Sequence, residues 1–236
     1  MKRVFVSILL ILILILCAIF YTINNFKLKS NSVGEHIIKI ESQQFDPVIN
    51  TFEFRNFKTA NSYGDCFGIC LVEKCIFEGN LEDYYKNDIG KLDELSNYRL
   101  NDECFTDGNL DFNKIDDDNE LKMLECIDYL QNNQNELYNR KNLKLEDVIQ
   151  KINNNLPVII IIPYDKGSDA ILAYGYYISN DKKTVKIYIA DPNKSKDFHS
   201  DVSNTITFVN KFFGWDVYYK DKLILFSSID LSDLKS

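Results

Sequence analysis

Val4 to Ile23 reads VFVSILLILILILCAIFYTI, twenty residues without a charge. A helix rising about 1.5 Å per residue makes that length match a hydrocarbon core of about 30 Å. A soluble helix would need a polar face, and none is visible. The expectation is one transmembrane signal-anchor helix over residues 4–23, behind a short tail at 1–3 and with Tyr21 at the interface. A cleaved signal peptide fits less well, because the apolar core is too long and the following NNFKLKS offers no small-x-small site. Leu16 ahead of Cys17 argues against a lipidated cysteine. Lys2 and Arg3 before the run and Lys27 and Lys29 after it nearly balance. A short tail and a long following domain then put the N-terminus inside. The expected localisation is the cell membrane, single-pass, with the C-terminal domain extracytoplasmic.

Charge narrows the function classes. The chain carries 27 Lys and Arg against 35 Asp and Glu, a net −8. Such a surface repels phosphate backbones and anionic headgroups, so no nucleic-acid partner is expected. Neither phosphate-binding glycine motif is present, and no cofactor is expected.

Residues 24–47 are polar with scattered apolar positions and read as a stalk, which leaves 48–236 as one folded domain. Its first half reads as helices. Asp65 stands where an N-cap belongs, Cys66 opens an apolar run, and Gly79 can close it. A short helix is expected over 81–88, an acidic loop over 101–118, and helices over 121–137 and 144–153. Then the period changes. Pro157 to Ile162 is a run of β-branched residues, the pattern of a buried strand. Ala170–Ile178 and Thr184–Ala190 follow around a turn at Asn180-Asp181, with Ile206–Val209 and Leu223–Phe226 as further strands. Helices first and an antiparallel sheet second is the order of an α+β domain.

Of six cysteines, Cys17 falls in the apolar run. The other five are odd in number, so a monomer keeps at least one free thiol. Cys66, Cys70 and Cys75 lack zinc-site spacing, the two histidines His36 and His199 are distant in sequence, and no metal is expected. Cys70, Cys75 and Cys126 read as buried small hydrophobes. Cys66 differs, because a helix N-terminus favours a thiolate. Gly68 would let a backbone or a substrate approach.

Tyr63-Gly-Asp-Cys-Phe-Gly-Ile69 resembles the G-x-C-[FY]-G-M pattern of bacterial papain-like, C39-like cysteine peptidase domains. Pro157-Val-Ile-Ile-Ile-Ile, Gly167-Ser-Asp-Ala-Ile-Leu-Ala-Tyr-Gly-Tyr176 and Ile187-Tyr-Ile-Ala-Asp-Pro-Asn193 follow in that family's order. The resemblance covers roughly residues 55–195. It implies a papain-like fold, with Cys66 as nucleophile, Asp191 as the acid that orients an imidazole, and Asn61 as a loosely matching oxyanion donor. At the position of the family's histidine stands Asp169. A carboxylate there cannot supply the imidazolium that stabilises a thiolate, and it raises the thiol pKa by repulsion. His199, eight residues past Asp191, and His36 are the available substitutes.

Asp107 to Asp118 places oxygens at some calcium-loop positions, but Phe112 stands where glycine is needed and Asp118 where glutamate is needed. It reads as a solvated loop. Phe212 to Tyr219 reads as aromatic core. Three functions follow: a catalytically degenerate peptidase-type domain that binds a peptide or protein in its cleft, an active cysteine peptidase using Cys66, or a structural surface protein.

Overall fold

A computed structural model describes residues 11–16, 33–40, 43–134, 144–164, 167–194, 204–211, 214–220, 222–224 and 227–228. Three helices carry the helical half: α1 (Cys66–Glu78), α2 (Asp118–Asn132) and α3 (Leu145–Asn153). The strands are β1 (Gly34–Ile37), β2 (Lys39–Ile40), β3 (Gln43–Gln44), β4 (Phe105–Thr106), β5 (Asn109–Leu110), β6 (Val158–Tyr164), β7 (Gly167–Ile178), β8 (Thr184–Ala190), β9 (Thr205–Lys211), β10 (Gly214–Tyr219), β11 (Lys222–Leu223) and β12 (Ser227–Ser228). The arrangement is α+β, and its main sheet is antiparallel in the order β11-β10-β9-β8-β7-β6-β12.

The membrane-spanning helix expected over 4–23 is corrected. No helix among the described residues is long and apolar enough to cross a membrane. Within that run the described part is 11–16, helical, with exposed apolar side chains. The rest of the run lies outside the described residues.

β7 is the axis of the molecule. On one side its first half pairs with β6, from Tyr164↔Gly167 to Val158↔Ala173. Where β6 ends, β1 takes over the same side from Ile37↔Gly175 to Gly34↔Ile178. Residues 34–37, read from the sequence as part of a stalk, are thus a strand of the main sheet. β8 pairs on the other side from Leu172↔Ala190 to Val185↔Ile178, with a register shift at Ala173/Gly175. Ala190 is the last β8 partner, so Asp169 and Ala170 stand on β7 beyond the end of β8.

α1 packs against β7 and β6 and against α2. Every residue from Cys66 to Cys75 is buried, including Glu73 and Lys74. The sequence suggested one apolar face, whereas the helix is enclosed on all sides, as a central helix between layers must be. Gly79 closes it with φ 72°. Gly68 fixes the approach of α2, because a Cβ there would lie 2.3 Å from the Ile127 carbonyl oxygen.

Local differences from the sequence reading have simple causes. The 81–88 helix shrinks to one 3-10 turn at Leu81–Asp83. The acidic loop contains the β4–β5 hairpin, turning at Asp107 and Gly108 with φ 52° and 79°. Asp111 there accepts hydrogen bonds from the Asn113 N–H at 3.2 Å and the Thr106 hydroxyl at 3.0 Å. These oxygens close local turns. The 121–137 helix begins earlier, at Asp118, where Asp117 caps the Asn119 and Glu120 N–H groups. Residues 135–137, Phe212, Phe213, Leu225 and Phe226 fall outside the described residues, as does Cys17.

Candidate functional site

Two loops meet at the start of α1. One is the chain from Asn56 to Asp65, the other the Asp191-Pro192-Asn193 turn after β8. Asn56 joins them: its N–H donates to the Pro192 carbonyl at 2.6 Å, and its side-chain N–H donates to Asn193 Oδ1 at 2.9 Å. Asn56 Oδ1 in turn accepts the Asp65 N–H at 2.7 Å. This seam brings the Cys66 end of the helical half onto the Asp169 end of β7.

Cys66 is the first residue of α1 and is 7% exposed. Its Sγ accepts the Ala170 N–H at 3.3 Å. Burial pushes the thiol up to about 11. The Ala170 N–H pulls it down, Asp169 and Asp65 add to the rise, and the Phe67 N–H lowers it. At pH 7 the thiol is then protonated. Burial overrides the helix N-terminus.

That N-terminus is already occupied. Gln131 on α2 accepts the Phe67 and Gly68 N–H groups at 3.0 and 3.1 Å through its side-chain oxygen. Asp65, expected as the cap, makes no side-chain cap bond. Instead it accepts a hydrogen bond from the Ser62 hydroxyl, in a chain that continues from Ser62 to Thr59 at 3.1 Å and from the Thr59 hydroxyl to Asp128 at 2.6 Å. Asp65 is fully buried, and its Oδ2 has no hydrogen-bond partner. Burial accordingly raises Asp65 to about 7, against the Ser62 hydrogen bond that lowers it and with Asp128 adding to the rise.

Asp169 lies half-buried on β7, and the Tyr164 hydroxyl donates to its Oδ2 across the hairpin. Asp191 is fully buried. Burial alone would raise it, but the Tyr219 hydroxyl, the Lys220 ammonium at 3.3 Å and the Asn193 N–H at 3.0 Å outweigh this and hold it low. Asp191 therefore has its ring hydroxyl and its cation already in place, from β10 and the residue after it. No imidazole is needed to satisfy it.

The structure thus gathers Cys66, Asp169 and Asp191 at one end of β7. A cleft of about 620 Å³ opens beside them, lined by Cys66, Phe67, Gln131, Tyr164, Asp169 and Ala170 among others. Asn61 stands exposed on the same lining, with its backbone N–H on the Thr59 hydroxyl oxygen at 3.2 Å. His199 lies outside the described residues. His36 is far from the site: it faces Tyr176 in the β1–β7 ladder, seven residues along β7 from Asp169, or about 23 Å. Its ring stacks on Tyr176 at 5.6 Å. All five cysteines outside the apolar run are free and buried. Among the described residues no cluster of three or more His, Cys, Asp or Glu is placed to hold a metal.

Comparison with known protein families, with curated proteins and with solved structures gave no match. The site is therefore read from its own residues. Sequence reasoning named Cys66, Asp169, Asp191 and Asn61. It missed Gln131, Asn56, Tyr164, Tyr219 and Lys220. Tyr164 was within reach, since a hairpin between Pro157–Ile162 and Ala170–Ile178 brings residues either side of its turn together. Gln131 gives no local signal.

Proposed function

We propose that this chain is a papain-like, C39-like peptidase-type domain that has lost the chemistry of its cleft and kept the cleft as a binding site for a peptide or protein. The observation that carries this reading is the state of Cys66. It sits at the opening of the central helix, beside an open cleft, yet its thiol is buried, accepts an N–H and faces Asp169. A nucleophilic cysteine requires a base to take its proton and a cation to hold the thiolate. Asp169 supplies no cation, and the cation near Asp191 is engaged with that carboxylate. What is left is a concave surface of hydroxyls, carboxamides and aromatic rings, the inventory of a recognition site.

The experiment is iodoacetamide labelling of the full chain across pH 4–10, read at Cys66 by mass spectrometry, with hydrolysis of fluorogenic peptides followed on the same sample. The expected outcome is no turnover and labelling that is still rising at pH 10. Hydrogen exchange in the presence of a mixture of unstructured peptides should slow at 61–67 and 167–170. A labelling midpoint below about 7, with turnover, would make the chain an active thiol hydrolase and end this reading.

A further inference from the structure

The charge on the cleft walls is one-sided. Asp169 is the carboxylate of the lining, and no Lys, Arg or His lines it among the described residues. Asp169 Oδ2 accepts the Tyr164 hydroxyl. A carboxylate offers about four acceptor sites, so a single hydroxyl leaves it room for a donor from outside. Two rings stand at the same opening: Tyr63 is 98% exposed and Tyr164 is 50% exposed. Exposed rings and a single carboxylate among the described lining residues are the components of a cation site, where carboxylate and π-face attract the same charge. The chain as a whole carries −8, so its field draws cations towards it.

The rest of the lining selects what carries the cation. The exposed Asn61 carboxamide both donates and accepts, which suits the alternating N–H and C=O of an extended peptide, whereas the Gln131 oxygen is taken by the first N–H groups of α1. Any ligand filling the cleft removes water from Asp169. An apolar or acidic ligand would leave that charge unpaired, and a cationic one offsets it.

We infer that the cleft takes a peptide segment with a lysine or arginine side chain, whose cation pairs with Asp169 against the rings of Tyr63 and Tyr164. This rests on the peptide-binding reading and names its ligand class. The test is fluorescence anisotropy of the full chain with three capped, labelled alanine–serine peptides that differ only at the centre: lysine, norleucine or glutamate. The lysine peptide should bind at least about tenfold tighter than the norleucine peptide, and the glutamate peptide weakest. Asp169→Asn should abolish the lysine advantage, weakening the lysine peptide while the norleucine peptide binds no worse, since no charge is left unpaired, and its circular dichroism spectrum and thermal midpoint report whether the variant is folded. Asp169→Glu should restore the lysine advantage. Equal binding of lysine and norleucine peptides to the unaltered chain would overturn the cation assignment and leave the peptide-binding reading standing. A lysine advantage that survives in Asp169→Asn would overturn it too. Failure of all three peptides to bind would remove both.

Discussion

At Cys66, burial and the nearby carboxylates outweigh two backbone N–H groups, and the thiol stays protonated. Asp169 is the residue through which that balance can be tipped. Replacing it by histidine exchanges a negative neighbour for one that can become positive. Asp169→His should lower the Cys66 labelling midpoint by about 2 pH units or more, measured by the same alkylation profile. No change would mean that burial alone fixes the thiol. The residues of this site divide by how their roles are encoded. Cys66 was legible as the opening of an apolar helical run, although Asp65 beside it does not cap that helix. Asp191 is legible only through the resemblance of Asp191-Pro-Asn193 to the C39-like pattern. Gln131 is legible in neither way. Its work, taking up the first N–H groups of a helix 63 residues earlier, depends on how α1 and α2 cross, and that crossing is set by packing.

The crossing is set in turn by one missing side chain. Gly68 brings the α2 backbone against α1, with the Ile127 carbonyl 2.3 Å from where a Cβ would stand. A clash with backbone cannot be relieved by a rotamer change. Gly68→Ala should therefore cost about 1–3 kcal/mol, read from chemical denaturation, and should loosen the Gln131 cap as α2 retreats. A neutral outcome would mean the two helices slide freely. Among elements, helices and strands with a clear period were legible: α1, α3 and β6 to β8 lie close to where periodicity put them. β1 was not, because four residues of mixed polarity carry too little pattern. Their place is dictated by the open side of β7 beyond the end of β6. The membrane-spanning helix was the opposite error, a strong composition signal without a matching helix among the described residues.

Across the whole molecule, two buried carboxyls set the pH dependence of stability. Burial raises Asp65 to about 7 and Glu73 to about 8, with the Ser62 and Phe52 hydrogen bonds opposing it. Glu73 has one oxygen on the Phe52 N–H at 3.1 Å and the other buried without a partner. Between the ordinary carboxylate range and these values the folded chain holds protons that the unfolded chain has released. Stability from these two groups is complete below about pH 4 and is lost as pH rises through 7 to 8. Asp191 acts the other way, since its lowered pKa contributes stability that disappears in strong acid. The maximum therefore falls in mild acid. The thermal midpoint should be at least about 5 °C higher at pH 5 than at pH 8. The double variant Asp65→Asn, Glu73→Gln should flatten that difference, as scanning calorimetry would show. A midpoint that rises from pH 5 to 8 would contradict the assignment of both protons.

The pairing of β1 with β7 has a geometric consequence of its own. Gly34 lies opposite Ile178, nine residues along the strand from Asp169. At about 3.3 Å per residue that is about 30 Å. A reporter group placed at Gly34 would therefore sit at the far end of a stiff, hydrogen-bonded strand, about 30 Å from the mouth of the cleft.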